Sequence, residues 1–254
     1  MIKRPLLFML LLAGTMVLTY QASAIESPEL RKILKAHVDT MGGWMHWNDV
    51  ESIRSTGTLE RDGQQIEFCI IKKRPQQIRA TLTIPIPESD DEAMQIIQAH
   101  DGRNAWAGTR RAGDARLNKT ELTDSQAQAL LNDASVLPKL IQLWRAGAPM
   151  EILQHPSARN HECTTLKVTS TTADDIYIFV LDQNYKVTSY THTTHDQQTT
   201  QTHLSHYKQI DGLYLPMHME IHSEQTGRSI MTTKAIVIGV GIYEDYFASA
   251  GDLQ

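Results

Sequence analysis

The chain has 254 residues, with 24 Lys+Arg against 29 Asp+Glu, a formal charge of −5 and 6% aromatic residues. That mild acidity argues against a nucleic-acid partner, because phosphate binding needs a basic face. With so few aromatics, any cavity must be lined mainly by Ile, Leu, Val and Met, and the length suits one all-β domain or two small ones.

Residues 1–24 open with Lys3 and Arg4, continue through the apolar run 6–20 and end on Ala22-Ser23-Ala24. This pattern predicts a signal peptide cleaved after Ala24, because the run is shorter than the ~20 residues a spanning helix needs. A retained membrane anchor is the alternative. No cysteine follows the cleavage site, which disfavours a lipid anchor. The expectation is an exported, periplasmic protein whose residues 25–254 form a single domain.

Ser27-Pro28-Glu29 reads as a helix start, with Ser27 as cap and Pro28 in the first position. Leu30, Ile33, Leu34, His37, Val38 and Met41 keep helical spacing, and Gly42-Gly43 closes the helix. Residues 44–50 suit a second short helix carrying two tryptophans. From Ser52 the pattern is strand-like, with a hairpin at Asp62-Gly63.

The central stretch runs from Gln65 to Gly108. Read with period two, Ile66, Phe68 and Ile70 share one strand face, while Glu67, Cys69 and Ile71 share the other. Lys72-Lys73-Arg74-Pro75 then places three cations at the strand end, as at the mouth of a hydrophobic pocket, and Pro75 stops the ladder. Ile96 sits in a second apolar run before a hairpin signal at Asp101-Gly102, and the acidic residues 88–92 read as a hairpin tip. Cys69 and Cys163 lie on separate predicted strands; free thiols are favoured over a disulfide, which needs Cα atoms within about 7 Å.

Residues 123–147 carry two helical signals, one capped by Thr123 and running through Leu131, the other capped by Ser135 and running through Trp144. Leu130, Leu137, Leu140, Ile141 and Trp144 supply more apolar surface than an outer helix requires. Both a lid over a cavity and ordinary core cover fit this pattern. The remainder, residues 151–238, reads as short strands with turn signals, including Asp211-Gly212. That is an antiparallel meander without βαβ alternation.

Of the 11 histidines, six lie between His192 and His222. His218, Glu220 and His222 share a strand face, a spacing a metal could use, whereas His203 and His206, three apart, are expected on opposite faces. The surroundings read as a solvated sheet, so no metal or other cofactor is expected. No GxSxG elbow occurs, no cysteine has a convincing base partner, and Gly239-x-Gly241 lacks a following nucleotide-binding helix. A non-catalytic protein is therefore expected.

The order of these elements resembles the LolA-like and LolB-like superfamily of periplasmic lipoprotein carriers. The residues carrying the likeness are Lys73-Arg74-Pro75, the run Asp101-Gly102-Arg103-Asn104-Ala105-Trp106, the helices after it, and Tyr207-Lys208-Gln209-Ile210-Asp211-Gly212-Leu213-Tyr214-Leu215-Pro216. This last stretch is similar to the Y-x-x-x-D-G-hydrophobic-x-x-P pattern of outer membrane lipoprotein-sorting proteins. The resemblance implies a mainly β (α+β) fold, an incomplete antiparallel β-barrel with an N-terminal helix and a helical lid over an apolar cavity. It also implies that Arg74, matching the arginine of the family's KRP-like motif, sits near the lid and helps control opening. A rim arginine on a solvated edge is the alternative. Trp106 matches the family's tryptophan after Asp-Gly, where packing competes with ligand contact as its role. This chain departs from the family in its longer C-terminal strands, its histidine content and an acidic insertion at 85–92.

These observations predict a monomeric, non-catalytic carrier or chaperone for lipoprotein acyl chains or lipid. An inner-membrane donor or an outer-membrane acceptor protein would be a further partner. Its ligand-binding residues would be Phe68, Ile70, Arg74, Ile96, Trp106, Leu130, Leu137, Leu140, Ile141 and Trp144. The alternatives are an envelope sensor or scaffold that recognises lipidated or unfolded proteins, and a metal-dependent hydrolase on the His-rich strands.

Overall fold

A computed structural model describes residues 27–86, 93–114, 116–154, 163–172 and 174–248. The predicted signal peptide and the acidic hairpin tip lie outside these residues. Helix α1 spans Pro28–Thr40 and α2 spans Gly43–Asp49. Strands β1 (Ser52–Arg61), β2 (Gln64–Lys73), β3 (Gln77–Pro85), β4 (Ala93–His100), β5 (Ala105–Arg111) and β6 (Asn118–Thr120) follow. After them come α3 (Asp124–Asp133) and α4 (Lys139–Arg145). The chain then runs through β7 (Met150–Gln154), β8 (Thr164–Thr169), β9 (Ile176–Leu181), β10 (Val187–Thr193), β11 (Thr199–Ile210), β12 (Leu213–Ser223) and β13 (Gly227–Ile238).

The 13 strands make one antiparallel sheet in the order β6-β5-β4-β3-β2-β1-β13-β12-β11-β10-β9-β8-β7. Each half is a meander, and the halves join where β1 pairs with β13, Ile53 opposite Ile238. Consecutive strands are hydrogen-bonded neighbours throughout, except β6 and β7. Those two are the open edges, and α3 and α4 are inserted in the chain between them. The sheet is thus an unclosed barrel, as the resemblance implied.

Local chemistry explains why the elements begin and end where they do. Ser27 Oγ accepts a hydrogen bond from the Leu30 N–H at 3.1 Å, and Pro28 opens α1, whose first turn carries Glu29. Thr123 and Gln126 form a reciprocal capping box at the start of α3. Ser135 does not cap α4 as the sequence predicts. Its hydroxyl accepts from Leu137 N–H at 3.1 Å in the preceding turn, and α4 starts at Lys139 behind Pro138. Pro138 has a fixed φ and its carbonyl accepts from Gln142 N–H, so it serves as the helix entry itself.

The interior side of the sheet is packed with helices. The first half of α1 (Leu30, Ile33, Leu34) joins Leu140, Leu143, Leu166 and Phe179 in one core cluster. Its second half (Val38, Met41) joins Trp47, Ile53, Ile141 and Leu213 in another. Trp44 and Trp144 pack at 5.6 Å between ring centroids, which ties α2 to α4. Both cysteines are free and half-buried. No helix among the described residues is long and apolar enough to cross a membrane.

The Tyr207–Pro216 stretch is the bracket that holds the α1–α2 corner. Asp211 and Gly212 turn the β11–β12 hairpin with φ of 47° and 84°, the conformation that favours Asp-Gly. A Cβ at Gly42 would lie 2.6 Å from the Gly212 carbonyl oxygen, so the corner can sit on the hairpin only because Gly42 has none. Tyr214 N–H donates to Met41 O at 3.2 Å and Trp47 Nε1–H to the same oxygen at 3.1 Å.

Candidate functional site

A cavity of about 600 Å³ opens between the concave face of the sheet and helices α1, α3 and α4. Its walls follow from strand parity. Phe68, Ile70 and Lys72 alternate along β2, with Ala80 and Gln98 in register with Ile70 on the next two strands. The opposite wall comes from Leu204 of β11, Leu215 and Met219 of β12, and Met231 and Ile236 of β13. The Phe68 ring packs on Gly57, where a Cβ would come 2.9 Å from its Cε1 and Cζ.

The two inserted helices do different jobs. Leu140, Ile141 and Leu143 of α4 are buried, and they sit in the core clusters. In α3 no residue is buried, and Gln126, Ala129, Leu130 and Asp133 form one helical stripe along the cavity. The core-cover reading thus fits α4, while α3 lies along the cavity without being buried. A helix with few buried contacts is also the kind of element that opens locally at low cost.

Five of the ten predicted ligand residues line the cavity: Phe68, Ile70, Leu130, Leu137 and Leu140. The other five are held elsewhere. Ile96 shares the concave face with Phe68 and Leu82, but lies beyond the cavity wall. Ile141 is core, and Trp144 packs on Trp44. Trp106 works on the opposite face, buried against Ile97 and Ala99. Its Nε1–H donates to Phe247 O at 2.8 Å, which anchors the C-terminal segment. Arg79 completes that clamp, with its guanidinium 4.4 Å from the Tyr246 ring centroid.

The cation cluster at the end of β2 splits three ways. Lys72 enters the cavity wall, and Lys73 Nζ donates to Ile242 O at 2.9 Å. Arg74 reaches the end of α2, where Nε donates to Val50 O at 2.6 Å and Nη2 to Trp47 O at 2.8 Å. These carbonyls lie at the end of α2, so Arg74 acts as a C-terminal cap on that helix. Arg74→Met keeps the apolar stem and removes both bonds. It is expected to destabilise the fold by about 2 kcal/mol, given ~1.5–3 kcal/mol for a hydrogen bond to a charged group. Urea unfolding measures this, and an unchanged midpoint would show that the bonds contribute nothing net.

Charged groups in the cavity are few. Burial pulls the Lys72 ammonium below the usual lysine range, an effect that Asp133 opposes and Lys139 reinforces. Asp133 is itself engaged by Lys139, with Oδ1 to Nζ at 3.2 Å. His37, another lining residue, has Nδ1 2.7 Å from Tyr185 O, so this nitrogen carries the proton and donates it. Its buried Nε2 has no partner among the described residues. Burial lowers the His37 pKa to about 4, against the raising effect of the Tyr185 bond. The ring is neutral at pH 7.

The histidine band on the outer face holds no such site. His206 has φ +54°, which breaks the strand alternation, and His203 and His206 are both exposed rather than on opposite faces. Their rings meet His222 and His218 edge-on at 6.4 and 5.4 Å. Glu220 Oε1 is already bonded to Arg228 at 2.6 Å and His222 at 2.9 Å. No group of three or more His, Cys, Asp or Glu that could hold a metal occurs among the described residues.

Sequence places Lys72 in the cation cluster at a pocket mouth but not among the ligand residues, and it does not identify the β11–β13 wall. Lys72 was legible, because it keeps phase with Phe68 and Ile70. The alternation Leu213, Leu215, Met217, Met219, Ile221 also marks one face of β12. What no local pattern carries is the pairing of β1 with β13, which brings that face opposite β2.

No family model matches the sequence, and no curated protein matches it. Among solved structures, it is similar to a DUF1329 family protein from Desulfovibrio piger, with a TM-score of 0.54 at 10% identity, covering 88% of this chain and 98% of that one. It is also similar to a LolA superfamily protein from Nitrosomonas europaea, with a TM-score of 0.53 at 10% identity, covering 86% of this chain and 97% of that one. At such identity the likeness concerns the fold, and the chain has a LolA-like fold.

Proposed function

We propose that this protein is a periplasmic, non-catalytic carrier that shelters the acyl chain of a lipid or lipoprotein in the cavity between the concave sheet and α3. The observation that carries this reading is an apolar hollow of about 600 Å³ covered by a helix with no buried residue. That volume falls inside the ~300–1,000 Å³ range of pockets that enclose a small ligand. Each methylene moved from water into it contributes about 0.8 kcal/mol. A carrier must also release its cargo, and a weakly held lid allows that, since Leu130 can cover the hollow when the chain has left. The LolA-like fold and the sequence pattern of an exported chain support the periplasmic setting.

Mass spectrometry of lipids co-purifying with the protein is the direct test; a protein free of acyl lipid that also binds no acyl probe would end this reading. Position within the sheet adds a sharper one. Ile70→Asn is expected to weaken binding of a fluorescent fatty-acid probe by about tenfold, from the lost apolar contact and an added polar group in the wall. Ile96→Asn, on the same face but outside the cavity, is expected to leave affinity within about twofold. Equal losses in both variants would count against the cavity as the binding site.

A further inference from the structure

The cavity wall mixes a majority of apolar side chains with neutral polar ones, and its charged groups are two lysines and one carboxylate: Lys72, Lys139 and Asp133. Lys139 and Asp133 hold each other at the entrance, where Asp133 is exposed. Lys72 projects from the same strand face as Phe68 and Ile70 and has no ion-pair partner among the described residues. His37 adds no charge there. Among the described residues the lining therefore carries a net charge of one positive, two lysines against one carboxylate, beside apolar walls.

Lys72 is half-buried, and an ammonium partly withdrawn from water is disfavoured without an anion, whereas the same ammonium facing an anion in a low-dielectric site makes a strong charge-assisted bond. Lysine is not needed for packing at this position, because a methionine would fill the same volume without that cost.

We propose that the ligand is a single-chain amphiphile with an anionic head, its tail along Phe68 and Ile70 and its carboxylate or phosphate at Lys72. This rests on the acyl-carrier reading and narrows it. The volume suits one chain rather than several, and the charge selects an acid over a neutral ester. The burial of Lys72 agrees with this, since a bound anion restores the charged form that burial disfavours.

The test is displacement of a neutral fluorescent probe from the purified protein by palmitate, methyl palmitate and lysophosphatidic acid, in wild type and in Lys72→Met. Palmitate is expected to bind about tenfold more tightly than methyl palmitate, the scale of one charge-assisted bond. In Lys72→Met the two are expected to agree within about twofold, with methyl palmitate unweakened and the unfolding midpoint retained. Tighter binding of lysophosphatidic acid, lost in the same variant, would identify a phospholipid head as the source of the anion. Equal binding of acid and ester by the wild type overturns this inference while leaving the carrier reading standing, as does an acid preference that survives in Lys72→Met. Binding of none of the three overturns both.

Discussion

Gly57→Ala is expected to destabilise the protein by about 3 kcal/mol, the upper end of the usual range for overpacking an interior. The added Cβ would lie 2.1 Å from Thr232 O, a backbone atom in a paired strand, and 2.9 Å from two carbons of the Phe68 ring. The register of β1 against β13 already slips between Thr56 and Gly57, so the strands approach closely at this point. To make room, Phe68 must swing off the sheet and into the cavity it lines. The substitution is therefore expected to reduce affinity for an acyl probe along with the unfolding free energy. Urea unfolding and probe titration measure the two effects separately; a variant within about 0.5 kcal/mol of wild type would show that the sheet relaxes freely at this contact.

Acidification should weaken the fold through His37. Its pKa falls from 6.5 in the unfolded chain to about 4 in the folded one, because burial disfavours the charged ring. The unfolded state therefore binds more protons between these values, so stability is fully present above pH 6.5 and declines as pH falls toward 4. At ~1.36 kcal/mol per unit, the loss attributable to this one residue is about 3 kcal/mol. His37→Gln keeps a donor for Tyr185 O but cannot titrate. The difference between the pH profiles of the two proteins isolates the His37 share. Parallel profiles between pH 4 and 7 would mean that the ring is hydrated in the folded state.

How much of this was readable beforehand depended on whether the cause was local. Ser27 and Thr123 caps, the Asp62-Gly63 and Asp211-Gly212 turns and the alternation along Ile66, Phe68 and Ile70 are each fixed by chemistry within a few residues. All are present in the structure. The site was legible only in part, because it is assembled from strands far apart in the chain. Ile96 and Phe68 look alike in sequence, and only their distance from the β1–β13 seam separates a cavity wall from a rim. Arg74 and Trp106 were singled out by motif, and both turn out to secure chain segments: the end of α2 and the C-terminal stretch around Phe247. Their chemistry, a planar donor fork and an indole N–H, suits backbone carbonyls as well as it suits a ligand. His206 defeated simple parity because a single residue with positive φ reverses the alternation.

The order in which the parts can assemble follows from α1. It is the first element of the described chain, yet some of its partners lie far downstream: His37 bonds to Tyr185, 148 residues on, and Thr40 to Asn184, 144 residues on. The sheet likewise waits for its final strand, since β1 lies beside β13. Contacts of such separation make folding slow, because long loops must close before any burial repays their lost entropy. The sheet of a newly made chain therefore cannot be completed until residue 238 is available, because only then does β1 gain its second neighbour.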